Sequence, residues 1–204
     1  MYNPDCFQET SKASLIHLIK ENGFASLISY HNNAPVVSHI PLLYQSNEHD
    51  QDYLLGHMAK ENSHWQSFTA DQPVLAIFQG PHHYVSPSWA GTGVPTWNYA
   101  VVHVQGVASL VETDELMDII SRLTSKYESA FDNPWQANIS SEQKNRISKK
   151  LVGFKIPVEN IQGKFKLSQN RSLEDQQVIA DALALTKNSD AEKLSTLMKS
   201  RIQV

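Results

Sequence analysis

The chain has 204 residues, a length suited to one domain or to a core with a helical appendage. It carries 17 basic and 21 acidic residues for a net charge of -4, with 41% hydrophobic and 19% charged residues. That balance is globular and excludes a strongly basic nucleic-acid binder, while leaving room for a local basic face. Cys6 is the only cysteine, which excludes an intramolecular disulfide and any metal site built on several thiolates. The start, Tyr2-Asn3-Pro4-Asp5, has no basic residue leading into an apolar run, and no stretch approaches the roughly 18 apolar residues of a membrane span. A soluble, cytoplasmic protein without a membrane segment is expected.

In chain order, Thr10-Ser11 offers an N-cap for a short helix whose stripe is Leu15, Ile16, Leu18 and Ile19, ended by Gly23. Phe24 to Tyr30 and Pro35 to Leu43 read as two strands joined by the polar turn His31-Asn32-Asn33-Ala34. A loop over Gln45 to Gln51 leads to a short strand from Asp52 to Gly56, then to a loop-like His57-Met58-Ala59-Lys60 and a helical Ser63 to Phe68. Val74 to Gln79 is nearly all apolar, as a central strand would be. Between Gly80 and Trp97 lie Pro81, Pro87, Gly91, Gly93 and Pro95 beside Tyr84, Trp89 and Trp97, the mixture expected of an ordered loop.

Tyr99 to Val111 is the longest strand candidate, with Gly106 marking a bulge or a close backbone approach. Thr113 is placed as the cap of a helix with Leu116, Ile119, Ile120, Leu123 and Tyr127 on one face. Another helix is expected over Ser141 to Lys150, and a last strand over Leu151 to Ile161. The tail reads as two helices, capped by Ser172 and Ser189. Strands dominate to residue 111 and repeated βαβ units are missing, so the fold class is mainly β with peripheral helices, an antiparallel core closed as a small barrel.

The usual nucleotide cradles, G-x-G-x-x-G and G-x-x-x-x-G-K-[ST], are missing, as is a G-x-S-x-G elbow. The nine histidines include His57 and His64, the adjacent His82 and His83, and the strand residues His39 and His103. None forms a metal-binding spacing, and no metal is assigned. The stretch Gly56 to Asn62, leaving a strand and entering a helix, is either a polar connector with a solvated lysine or a place where backbone N–H groups and Lys60 meet an anion. Tyr84, Trp89, Trp97 and Tyr99 either seal the barrel or an interface, or offer rings to a flat aromatic cofactor.

Ordered blocks along the chain carry a family resemblance: Ser38-His39-Ile40-Pro41-Leu42, Gly56-His57-Met58-Ala59-Lys60 with Asn62, and Phe78-Gln79-Gly80-Pro81-His82. Tyr84 to Trp89, Val94-Pro95-Thr96-Trp97-Asn98-Tyr99, Val102-His103-Val104 with Gly106, and Lys166 to Arg171 complete the set. With these blocks the chain resembles the PaiB-like family of FMN-binding negative transcriptional regulators, within the flavin-reductase-like and pyridoxamine-phosphate-oxidase-like split barrels. The resemblance implies a six-stranded, FMN-binding split barrel over residues 1–168 with a helical extension over 169–204, and a homodimer with FMN near the subunit interface. It places Lys60 at the flavin phosphate with His57 or Asn62 assisting, and Met58 in the same block. It gives backbone contacts to Ser38, His39 and Ile40, and sets Trp97 and Asn98 beside the ring. Lys166, Gln169 and Arg171 would reach the phosphate or a ligand on the ring face. One departure is the short, uncharged Ala90 to Val94 link between Trp89 and Pro95, where the family carries a longer and often basic stretch.

Three functions follow. A DNA-binding regulator would use the basic stretch from Glu142 to Arg171, with Lys144, Arg146, Lys149, Lys150, Lys155, Lys164, Lys166 and Arg171. The same residues also suit a solvated helix face plus cofactor contacts. A flavin-dependent oxidoreductase or a haem-binding, haem-degrading split-barrel enzyme is the alternative, for which the sequence names no catalytic residue. A ligand sensor without turnover is the third.

Overall fold

The computed structural model describes residues 1–68, 72–91, 93–136 and 139–202. Its elements in order are β1 (Gln8–Glu9), α1 (Lys12–Glu21), β2 (Phe24–His31), β3 (Ala34–Pro41), β4 (Leu43–Ser46) and β5 (Asp52–Ala59). A 3₁₀ turn (Ser63–Ser67), β6 (Val74–Val85), α2 (Pro87–Ala90), β7 (Thr96–Gly106), β8 (Ser109–Leu110) and α3 (Thr113–Glu128) follow. The chain closes with α4 (Ser141–Lys150), β9 (Leu151–Pro157), β10 (Asn160–Lys166), α5 (Leu173–Ala184) and α6 (Ser189–Ile202). The strands form one six-stranded sheet, in the order β1-β10-β7-β6-β2-β3, and one four-stranded sheet, β4-β5-β9-β8. The fold is therefore β with helices, as its patterning predicts.

The chain divides into two compact units, and β6 and β7 each run from one into the other. The first unit gathers Met1–Glu21, Gln79–His103 and Gln162–Val204. Its apolar interior includes Leu15, Leu18 and Ile19 from α1, Ala100 and Val102 from β7, and Ile179, Leu183, Leu194 and Met198 from the last two helices. Gly163 is needed where it stands, because a Cβ there would lie 2.1 Å from Leu15 Cδ2. The Arg201 guanidinium pairs with the buried Glu9 carboxylate, tying the end of α6 to β1.

The second unit holds Asn22–Phe78 and Val104–Ile161. Asn32 and Asn33 both take positive φ, 50° and 62°, giving the two-residue turn whose twist matches the β2–β3 hairpin. Leu55, Ile119 and Leu123 form a cluster between β5 and α3, flanked by Leu43, Tyr53 and Val111. Gly106 is a close approach: a Cβ on it would stand 1.8 Å from the Pro157 carbonyl oxygen.

Several boundaries differ from expectation. The strand from Pro35 to Leu43 is cut after Pro41, where Leu42 N–H turns to bond the Gly23 carbonyl at 2.8 Å and the chain passes to the other sheet. His57 to Ala59 belong to β5 and not to a loop, since they pair with Leu151, Val152 and Gly153 of β9. The segment Gly80 to Trp97 is not one loop: β6 continues to Val85, Ser86 caps α2, and β7 begins at Thr96. The strand from Tyr99 to Val111 stops at Gly106, and the strand from Leu151 to Ile161 breaks after Pro157, which cannot donate to a ladder. Two caps shift by one residue. Thr113 is the first helical residue behind Glu112, and Asn188 caps α6 by accepting from the N–H groups of Asp190 and Ala191. Ser172 caps α5 as expected. Thr92, within the short Trp89–Pro95 link, lies outside the described residues.

Candidate functional site

In the second unit two of the expected site residues, Ser38 and Asn62, meet at the corner after β5. Alternation on β3 sends Ser38 and Ile40 inward and leaves His39 on the opposite, exposed face, where its Nδ1 is 3.0 Å from Ser26 Oγ. The Ser38 hydroxyl accepts from Asn62 Nδ2 at 3.0 Å and lies 2.8 Å from His64 Nδ1. Since it accepts from Asn62, its own proton is available to His64, which makes the Nε2–H form of that imidazole the consistent tautomer. Asn62 also accepts from His64 N–H at 3.1 Å as the cap of the 3₁₀ turn. Ser67 Oγ donates to the His64 carbonyl and meets Ser29 Oγ, so both β2 and β3 hold this turn.

Lys60 stands at the tip of the corner. Its backbone is fixed at both ends: its N–H bonds Lys150 O at 2.7 Å and its carbonyl accepts from Trp65 Nε1 at 3.0 Å. Its side chain is exposed, and among the described residues the ammonium has no ion-pair partner. Met58 is buried beneath β5. His57 is half-buried, and its Nδ1 is shut from solvent without a partner among the described residues. His64 is 1% exposed and its Nε2 is likewise unpartnered. Burial pushes both imidazoles below the ordinary histidine value, so each is neutral at pH 7. A fixed backbone corner, an unpaired ammonium and an unsatisfied buried ring nitrogen fit an anionic group such as a phosphate.

The first unit holds the other expected residues. Trp97 is 53% exposed and ringed by His82, His83 and Tyr84, with centroids 6.3, 6.4 and 6.3 Å away. Beside it runs an apolar groove of about 350 Å³ lined by Gln79, His82, Trp97, Tyr99, Ala100 and Val101. Asn98 points the other way: it is wholly buried, and its amide donates to Ser168 Oγ at 2.9 Å and meets Met198 Sδ at 3.6 Å. Lys166 Nζ donates to Thr96 Oγ1. Gln169 spends its amide on the turn before it, accepting from Leu167 N–H and donating to Phe165 O, across Ser168 at φ 66°. Arg171 packs against the short link, its Nη2 2.2 Å from where a Gly93 Cβ would be, and Gly93 takes φ 92°, a conformation that favours glycine.

Sequence reasoning missed His64 and Trp65, which position the corner through hydrogen bonds that no spacing announces. It also read the eight basic residues near the tail as one region. The structure separates them: Lys144, Arg146, Lys149 and Lys150 are exposed on α4, whereas Lys155 pairs with Glu115 at 3.6 Å. Lys164 is buried between the rings of Tyr2 and Tyr99, at 5.2 and 5.6 Å, and donates to Tyr2 O. No described helix is long and apolar enough to cross a membrane.

The second unit thus offers a corner suited to an anion, and the first an apolar groove beside an exposed indole, on a largely antiparallel β fold. Residues 1–160 match the family described as "Putative FMN-binding domain", and the chain belongs to that family, whose cofactor is FMN. It is 37% identical over 206 residues to the Bacillus subtilis protein named "Protease synthase and sporulation protein PAI 2", covering 100% of this chain and 99% of that one. The fold is similar to that of the FAD and heme binding protein from Mycobacterium smegmatis, with a TM-score of 0.59 at 14% identity over 82% of this chain and 78% of that one. It is also similar to the flavocytochrome Anf3 from Azotobacter vinelandii, with a TM-score of 0.53 at 11% identity over 78% and 69% of the two chains. The fold is thus the flavin-binding split barrel.

Proposed function

We propose that this chain is an FMN-binding negative regulator of transcription, and that it works as a cytoplasmic homodimer with the flavin near the subunit interface. The observation that carries the FMN site is the corner after β5, where Lys60 is exposed and unpaired while its backbone is held on both sides. Lys60 meets the phosphate, with His57 Nδ1 as a neutral donor beside it. Asn62 and Ser38 act by fixing the corner, because their polar atoms are already used on each other and on His64. When bound, FMN supplies two-electron redox chemistry of its own, and the protein's part is to hold the phosphate and bound the ring.

The exposed Trp97 and its groove in the first unit would receive the ring, while Ile40, Met58 and Asn98 are buried and serve as packing. His39 faces away from Ser38, so only the backbone of that strand would serve the flavin. Lys166, Gln169 and Arg171 order the turn after β10 and the link near Gly93, with residues 1–168 as the flavin-binding part and 169–204 as its helical extension. DNA contact is assigned to α4, which has no buried residue and carries four outward cations. Binding through it should weaken steeply with salt, as phosphate contacts do.

The test separates phosphate from ring. Lys60→Ala should weaken FMN binding roughly 10- to 100-fold, about 1.5–3 kcal/mol, and leave riboflavin affinity unchanged. Equal losses for the two ligands would remove Lys60 from the phosphate.

A further inference from the structure

A second lysine stands opposite Lys60 at the corner in the second unit. β5 and β9 run antiparallel, with Met58 opposite Val152 and Ala59 opposite Leu151. The bond from Lys60 N–H to the Lys150 carbonyl, at 2.7 Å, adds one more rung at the end of that ladder. Lys60 and Lys150 are thus directly opposed, and opposed residues of an antiparallel pair put their side chains on one face, with Cβ atoms about 5 Å apart. Lys149 precedes Lys150 in the last turn of α4. All three side chains are exposed, and among the described residues none has a carboxylate partner. Like charges set directly opposite each other repel. A cross-strand pair of lysines with no acid between them is therefore a place whose charge an anion would neutralise.

We propose that Lys150 is a second cation for the flavin phosphate and that, because the same residue belongs to α4, FMN and a DNA backbone exclude one another at this end of the helix. The inference rests on the readings of Lys60 and α4 given above and says how the two are linked. A phosphate monoester carries close to two negative charges at neutral pH, so one ammonium leaves it half neutralised and two balance it. The Lys150 carbonyl is spent on Lys60 N–H and does not stand free against the anion. The link to DNA follows from the same charges. Lys150 neutralises either the flavin phosphate or a phosphate of the duplex, and a bound dianion would repel the backbone from Lys149 and Arg146 as well. Arg146 lies one turn before Lys150, on the same side of α4. Cations in a last turn also favour the negative end of a helix, a role indifferent to which flavin is bound.

The experiment titrates the whole chain with FMN and with riboflavin, unaltered and as Lys150→Gln, Lys150→Arg and Lys60→Ala, with thermal melting on each. A duplex of random sequence carrying a red dye, clear of flavin emission, reads DNA binding by anisotropy at low salt, without ligand and with saturating FMN or riboflavin. Lys150→Gln should weaken FMN roughly 5- to 20-fold and leave riboflavin unchanged, while Lys150→Arg, which keeps the charge, should restore FMN to within about 3-fold. FMN should weaken duplex binding at least about 5-fold, and riboflavin should not. If Lys60→Ala loses FMN selectively and Lys150→Gln does not, the role of Lys150 is overturned and the Lys60 corner stands. If neither variant loses FMN selectively, the corner fails and the inference with it. A duplex held equally with and without FMN would overturn the exclusion, as would a chain that binds no duplex at low salt.

Discussion

Ser38 on β3 reaches across to both Asn62 and His64, with its hydroxyl 3.0 Å from the first and 2.8 Å from the second. One small side chain therefore holds the start of the 3₁₀ turn and orients the corner carrying Lys60. Nothing in the spacing of Ser38 and His64 along the chain suggests this. It arises because the 3₁₀ turn leaves β5 in one sheet, on the way to β6 in the sheet that holds β3, and packs against β3 as it does so.

Replacing Ser38 by alanine should lower stability by about 1–3 kcal/mol, because Asn62 Nδ2 and His64 Nδ1 lose a buried partner while little apolar surface changes. For a chain this size that is a fall in melting temperature of roughly 2–4 °C per kcal/mol, read by calorimetry. FMN affinity should fall with it, since the Lys60 corner loses its brace. A melting temperature equal to that of the unaltered protein would show that the hydroxyl carries no load.

Acidification tests His64. Its folded value is held below the ordinary value of about 6.5 by burial, so the unfolded chain binds a proton that the folded chain resists. Stability is full above pH 6.5 and is lost as pH falls from there through the depressed folded value. His57 contributes with the same sign. Melting curves between pH 7.5 and 5 should show this decline, and His64→Leu should flatten it even if the variant is less stable overall. An unchanged slope in His64→Leu would assign the decline to other groups.

Gly106 and Gly91 make a matched pair for measuring backbone constraint. At Gly106 an added Cβ would stand 1.8 Å from a backbone oxygen, which no rotamer change relieves, whereas at Gly91 it would meet nothing within 4 Å. Gly106→Ala should cost more than about 2 kcal/mol. Gly91→Ala should cost only the positive-φ penalty, roughly 1–2 kcal/mol at its φ of 67°. Urea denaturation of the two variants reads both, and equal losses would contradict the close approach.

Asn98 separates packing from ligand contact. Its amide is wholly buried against Ser168 and Met198, so Asn98→Ala should destabilise the fold by about 1–3 kcal/mol. FMN and riboflavin should then lose affinity equally, if either does. A selective loss of one flavin at unchanged stability would give Asn98 a direct contact.

The class of fold was legible because β2, β6 and β7 are apolar enough to be recognised as strands and α3 repeats Leu116, Ile119 and Leu123 at helical spacing. Boundaries at prolines were less so. Pro41 and Pro157 each end a strand and let the chain change sheets, but a proline can equally sit at a strand edge, and pattern alone reads through it. The block His57 to Ala59 reads as a loop because a histidine and a short apolar pair carry no clear alternation, although pairing with β9 makes it strand. Of the site, the identities of Ser38, His57, Lys60 and Asn62 could be read as a set, while the roles of Asn98 and Gln169 could not. Those two spend their amides on partners inside the chain, and such partners become visible only once the chain is folded.

The most direct test of the central claim is a titration of the purified, flavin-free protein with FMN, followed by flavin fluorescence and the visible spectrum. Saturable binding is expected, with a dissociation constant at or below about 1 μM, near -8 kcal/mol, and a stoichiometry of one flavin per chain. Fluorescence that stays linear in added FMN up to about 100 μM, beyond the range in which a specific phosphate corner and ring groove would fill, would contradict it.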